Sequence, residues 1–340
     1  MKAILRSLLP ALFLLGCSTD LDIIAPYKNI TVVYAVLSTN ETTHFVKINK
    51  AFLGDGDAFV YALEPDSSEY TNDQLQARVE ELDNGNVVNS WTLNDTLLTD
   101  RIPGTFYSPD QKLYTFNATL DPDRDYRVIC EVNGELITAS TPIVNNFTVN
   151  AADANPNGQI GLRTSNGYTN WELNWNSGRD GRRYEVYYRF NYREVRGTDT
   201  TDKSITRLMG VRVTNDLDGN ESMNASLLGE NFYQGIGTLV QPDPTVDKRI
   251  YIGIDMYWYV ASDEFHTYLT LQNPLTGIVE ERPDYTNVAN GYGLVGSRYF
   301  KILENKKLNA ESVLELVSGQ YTGTLGFCSP YTTTPGLGCN

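Results

Sequence analysis

The chain has 340 residues with 42 acidic against 27 basic side chains, and its net charge of −15 disfavours nucleic acid and anionic lipid headgroups as partners. Hydrophobic residues make up 41%, ample for packed cores in a chain longer than one typical domain, and 22 Tyr outnumber 12 Phe and 4 Trp. Past Cys17 no stretch approaches the roughly 20 apolar residues that a membrane-spanning helix requires.

The first residues read as an export signal. Lys2 and Arg6 precede the apolar run Leu8 to Leu15, which is too short to cross a bilayer and has the size of a signal-peptide core. Leu14-Leu15-Gly16-Cys17 then gives the lipobox order: an aliphatic residue, a tolerant position, a small residue, and the cysteine that is acylated and becomes the new N-terminus. The competing account, a short buried helix ending in Gly-Cys, does not explain the positive flank. Residues 1–16 are thus expected to be a signal peptide and 17–29 a lipidated tether. Cleavage there removes two of the 27 basic residues and none of the 42 acidic ones, leaving about −17. Two or three acyl chains on Cys17 would make the lipid bilayer the first partner.

From Ile30 the hydrophobic period becomes two. Ile30 to Leu37 and Thr43 to Ile48 read as strands joined at Asn40-Glu41. Ala77 to Leu82 and Val87 to Leu93 flank Asn84-Gly85, a type I′ hairpin signal, because both central residues of that turn need positive φ. Leu113 to Leu120, Tyr126 to Val132 and Glu135 to Thr141 follow, the last two joined by Asn133-Gly134. Short strands at this spacing predict a β-sandwich over 30–145 with no need of a helix. The polar stretch 145–161 reads as a boundary. Beyond it, Asn170 to Trp175, Arg183 to Tyr192 and Arg249 to Val260 predict a second, larger β-rich unit over 150–327. Its two short helices are expected after Ser262 and after Asn309, each a good N-cap followed by acidic residues.

Few residues suggest chemistry. His44 and His266 are the only histidines, and neither has metal-ligand spacing, so both read as surface or boundary residues. No nucleophile elbow, phosphate loop or zincin motif is present, and no cofactor is expected. Asp153 to Ile160 matches the first half of a calcium loop, but Thr164 stands where the closing carboxylate belongs, and a linker turn is the better account. The turn Asn215 to Glu221 reads as a solvated tip. Cys328 and Cys339 bound a Gly/Pro/Thr-rich tail, 328–340, that a disulfide would close; a metal pair is the alternative, without a histidine nearby. Cys130 alternates with Tyr126, Val128 and Val132 and reads as a buried thiol. Tyr187, Tyr192, Tyr257 and Tyr259 form the densest tyrosine cluster outside the positions taken as inward. Rings of this kind suit a binding surface, although they could equally cover a sheet face.

The acidic Ser18-Thr19-Asp20-Leu21-Asp22 after the lipid cysteine resembles the signal that sends lipoproteins to the cell surface in Bacteroidota. The lipobox, the strands from Ile30 to Ile48, the stretch Leu120 to Val144, the run Asp263 to Leu269, Tyr285 to Val288, and Asn290 to Tyr299 resemble a family of outer-membrane lipoproteins of that phylum, the domain of unknown function 4249. The resemblance implies an immunoglobulin-like N-terminal β-sandwich, a β-rich C-terminal domain and a TonB-dependent receptor as partner. It implies no catalytic residues. The expectation is therefore a mostly β, lipid-anchored and surface-exposed outer-membrane protein, a non-enzymatic accessory in nutrient capture. A surface adhesin and a glycan-active hydrolase with unrecognised carboxylates are the competing functions.

Overall fold

The two Asn-Gly steps turn as their residue types dictate. Asn84 and Gly85 have φ of 49° and 82°, Asn133 and Gly134 of 52° and 83°, the paired positive values of a type I′ hairpin. Around them, the computed structural model describes residues 30–51, 57–272, 284–332 and 335–339; Cys17 and the predicted signal and tether lie outside this set. The chain is mostly β.

The first half contains β1 (Thr31–Leu37), β2 (Thr43–Lys50), α1 (Ala58–Ala62), α2 (Pro65–Ser68), β3 (Leu75–Asp83), β4 (Asn86–Thr92), β5 (Asn94–Leu98), β6 (Gln111–Asn117), β7 (Asp125–Val132) and β8 (Glu135–Pro142). One layer runs β1-β2-β6-β5 and the facing layer β4-β3-β7-β8. That is the strand arrangement of an immunoglobulin-like sandwich, with four strands on each side. Tyr126, at the start of β7, is fully buried and its hydroxyl accepts from the Asp121 backbone N–H at 2.8 Å, the tyrosine corner of such sandwiches. Two short helices, α1 and α2, occur where the strand pattern predicted none. Asp57 caps α1 by accepting from the Phe59 N–H at 2.9 Å, a local signal that strand periodicity does not report.

The second half contains β9 (Thr148–Val149), α3 (Ala151–Ala154), β10 (Gln159–Ile160), β11 (Arg163–Thr164), β12 (Gly167–Tyr168), β13 (Asn170–Asn176), β14 (Arg183–Arg196), β15 (Asp199–Val213), β16 (Ser222–Leu228), α4 (Gly229–Leu239), β17 (Lys248–Ala261), α5 (Asp263–Gln272), β18 (Tyr292–Leu308), α6 (Ala310–Ser318) and β19 (Phe327–Cys328). The helices after Ser262 and Asn309 are α5 and α6, and the Asn309 side chain caps α6 by accepting from the Ser312 N–H at 2.9 Å. Helix α4 escaped the sequence reading because its Gly229, Gly235 and Gly237 weaken helix propensity. Tyr321 packs over Gly237 and Arg207 over Gly235, so close approach rather than propensity explains those glycines.

The two halves share one sheet. Its order is β15-β14-β17-β18-β1-β2-β6-β5, with β18 as the joint. The first part of β18 pairs in parallel with β1, from Val32 opposite Tyr292 to Leu37 opposite Ser297. Its second part pairs antiparallel with β17, from Ala261 opposite Arg298 to Ile254 opposite Lys306. Residues 33–143 supply one buried cluster, which Val288 and Val295 complete from far along the chain. Residues 144–327 supply the second, centred on Trp175, Tyr184, Phe190, Phe232, Tyr251 and Trp258. The two buried clusters thus share β18, whose Val295 lies in the first and Leu308 in the second, so the chain ranges 30–145 and 150–327 do not map one to one onto the cores.

Cys328 and Cys339 are joined by a disulfide, and Ser329 pairs with Gly338 inside the loop it closes. Closing so short a loop removes about 2–3 kcal/mol of unfolded-chain entropy. Denaturation with and without reductant is expected to differ by that amount or less, since the loop lies at the chain end. Cys130 is free and buried, and burial pushes its thiol up to about 12, so native protein should resist alkylation there at pH 8. A native peptide map that placed Cys130 in a bridge would contradict both statements.

Candidate functional site

Strand alternation places odd-numbered side chains of β14 on the face away from the second core. Register then sets their neighbours. Glu185 lies opposite Tyr259, Tyr187 opposite Tyr257 and Arg189 opposite Asp255; across the next ladder, Tyr259 lies opposite Phe300 and Tyr257 opposite Ile302. The result is an aromatic surface on the outside of β14, β17 and β18. Tyr187 and Tyr259 meet edge to face at 5.7 Å, and Phe300 packs against Tyr259 at 5.2 Å and Tyr257 at 5.7 Å.

Two elements wall this surface into a groove of about 570 Å³. On one side stands α5, presenting Phe265 and Leu269; on another the β1–β2 turn, presenting Ser38, Asn40 and Glu41. Asn40 fixes the turn by pairing with the backbone of Phe300, accepting from its N–H at 2.7 Å and donating to its carbonyl at 3.1 Å. Ser262 anchors the start of α5, where its hydroxyl accepts from the Ser297 N–H at 3.2 Å. Gly296 lies beneath Phe265, whose Cβ would be 3.1 Å from any Cβ placed there. A larger residue at 296 would push the helix wall outward.

The charges of the groove are paired, one pair between β18 and the β1–β2 turn and one within β14. Arg298 meets Glu41 at 2.6 Å and Arg183 meets Glu185 at 2.8 Å. The Tyr187 hydroxyl donates to the other Glu185 oxygen at 3.0 Å; burial and that acceptor both raise the phenol's pKa, so it stays protonated at neutral pH. Just beyond, Arg189 lies 4.7 Å over the Tyr257 ring and bonds Asp255. Burial would raise the Asp255 pKa, but the Asn305 N–H, Asn191 and Arg189 outweigh it and hold the carboxylate ionised. The lining therefore offers flat aromatic faces, guanidinium donors and carboxylate acceptors held in place by one another.

The four tyrosines singled out in the sequence fare differently. Tyr259 is half exposed and lines the groove, and Tyr187 is partly buried beside it. Tyr257 is buried under Arg189 and Phe300, not free. Tyr192 is a core residue: it continues the even-numbered row Tyr184, Val186, Tyr188 and Phe190 and packs on Phe327. Phe300, Arg298, Asn40 and Glu41 were not anticipated, because the β1–β2 turn and β18 that carry them are far apart in the chain and no local pattern joins them. His44 is buried against Phe116 with its Nε2 at 3.0 Å from the Ala118 carbonyl, not a surface or boundary residue, and burial lowers its pKa. Asp153 accepts from the backbone and side chain of Asn174, which fixes α3 to β13, and no cluster of three His, Cys, Asp or Glu fit for a metal occurs among the described residues.

No protein-family model matches the sequence, and no curated relative does. Among solved structures the chain is similar to the C-terminal globular domain of an oligosaccharyltransferase from Pyrococcus abyssi, at 11% identity and a TM-score of 0.25, covering 66% of this chain. The match spans less than half of that protein's length, 45%.

Proposed function

We propose that the chain is a lipid-anchored outer-membrane protein, displayed on the cell surface through acylated Cys17, and that it works as a non-enzymatic binding component beside a TonB-dependent receptor in nutrient capture. The observation that carries the binding role is the aromatic groove between α5, the β1–β2 turn and β17–β18, open to solvent and lined by Tyr259, Phe300 and the two Arg–Glu pairs. A ligand with a flat apolar face and polar groups along its edge would stack on Tyr259 and Phe300 while Arg183 and Arg298 hold its acceptors.

Two experiments test the two halves of this reading. For the anchor, Cys17→Ala is expected to leave the protein uncleaved or unlipidated and to move it out of the outer-membrane fraction; a mature N-terminus other than a blocked Cys17 on the wild-type protein would end the lipoprotein reading. For the groove, Tyr259→Ser with Tyr187→Ser is expected to weaken capture of partner or ligand, read by co-purification in mild detergent and by glycan and peptide arrays. Both rings are partly solvated, so the melting temperature should move by only a few degrees. Lost stability with unchanged capture would make them structural cover.

A further inference from the structure

At the end of the first sandwich where the chain enters β1, two segments carry large apolar side chains into solvent. Helix α1 and its C-cap expose Phe59, Val60 and Leu63, while Ala62 is turned inward. The β5–β6 connection exposes Ile102 and Phe106, Ile102 at 85% of its full surface. The Tyr107 N–H donates to the Ala62 carbonyl at 2.9 Å, so the segments form one tip, and Arg101 lies over the Phe106 ring. Single exposed apolar residues are ordinary; five in two joined segments form a patch that calls for a partner.

Strand pairing places this tip. The Ala51 N–H donates to the Ile30 carbonyl at 2.8 Å, and β2 leads from there toward α1. Val46 lies opposite Tyr114 in the antiparallel β2–β6 ladder, which brings the start of β6, and the connection before it, to the same end as Lys50. The tip therefore sits beside Ile30, where the tether from Cys17 joins the fold. Thirteen tether residues reach at most about 45 Å. The groove lies at the opposite end of β1, beyond Leu37, about 25 Å away along the strand.

We propose that this tip, centred on Phe59, Ile102 and Phe106, is a second membrane contact that inserts into the bilayer holding the lipid anchor and directs the groove away from it. The inference rests on the lipoprotein reading for its biological setting. Acidic Asp57, Glu64 and Asp100 flank the tip, so the attraction is apolar and zwitterionic lipid suffices.

The test uses the mature chain from residue 18 with an N-terminal polyhistidine tag, held on phosphatidylcholine–phosphatidylethanolamine vesicles that contain a nickel-chelating lipid. This substitute anchor separates the tip from natural lipidation, which mass spectrometry of the native N-terminus decides independently. An environment-sensitive fluorophore is placed at Ile102→Cys, with Leu208→Cys on the edge strand β15 as control. The expected result is a blue shift and a severalfold loss of quenching by aqueous iodide at position 102 only, unchanged in high salt and abolished by Phe59→Asp with Phe106→Asp at an unchanged melting temperature. Equal quenching at 102 and 208 would overturn the proposal. So would protection at 102 that appears only when outer-membrane proteins are added, which would make the tip a protein contact.

Discussion

Gly293→Ala should destabilise the protein by more than about 3 kcal/mol, or prevent it from folding, whereas Gly85→Ala should cost about 1–2 kcal/mol. Both glycines have positive φ, 122° and 82°, so both substitutions introduce backbone strain. They differ in what surrounds them. Around Gly85 a Cβ meets nothing within 4 Å, but at Gly293 it would stand 1.9 Å from the Val33 carbonyl oxygen. Val33 lies opposite Gly293 in the parallel ladder that joins the two halves, and a backbone atom cannot yield without opening that ladder. Strain at Gly85 stays within a hairpin tip, while strain at Gly293 reaches the joint between two cores. Urea denaturation of both variants measures the contrast. If Gly293→Ala proved no worse than Gly85→Ala, β1 and β18 would not pair as described.

Arg249→Ala is the second large effect, expected at about 3–5 kcal/mol. The guanidinium is almost wholly buried, and each of its three nitrogens donates: Nε to Glu194 at 3.1 Å, Nη1 to the Leu325 carbonyl at 2.5 Å and Nη2 to the Gln241 carbonyl at 3.0 Å. It thereby ties β17 to the end of α4 and to the segment before β19. Truncation leaves a buried carboxylate with only the more exposed Arg196 beside it, and strands two carbonyls. Arg249→Met with Glu194→Met removes both charges and should recover part of the loss. A single-variant loss under about 1 kcal/mol would mean that the buried pair is not formed in solution.

Much of the fold was legible because it is local. Asn84-Gly85 and Asn133-Gly134 fix their turns by their own φ preference, and the alternation in Tyr126 to Val132 puts Tyr126, Val128, Cys130 and Val132 into one core. Ser262 and Asn309 started their helices for the same local reason. The misplacement of Tyr192 had a signal available, since its even number already put it on the inward row. Tyr257 had none: it is covered by Arg189 from a neighbouring strand and Phe300 from another.

By itself the sequence located most strands of the first half, β13, β14, β17 and the two Asn-Gly turns, and it carries the motif from which lipid attachment at Cys17 is expected; it did not show β15, β16 or β18. Only the tertiary structure decided that β18 binds two sandwiches into one sheet, that Asn40 and Phe300 meet across 260 positions to shape the groove, and that the apolar tip stands beside Ile30. The division follows from range. Turn geometry and alternation act over a few residues and are written in each segment, whereas strand order and register follow from which buried faces fit together, a property of pairs of segments that no single segment contains.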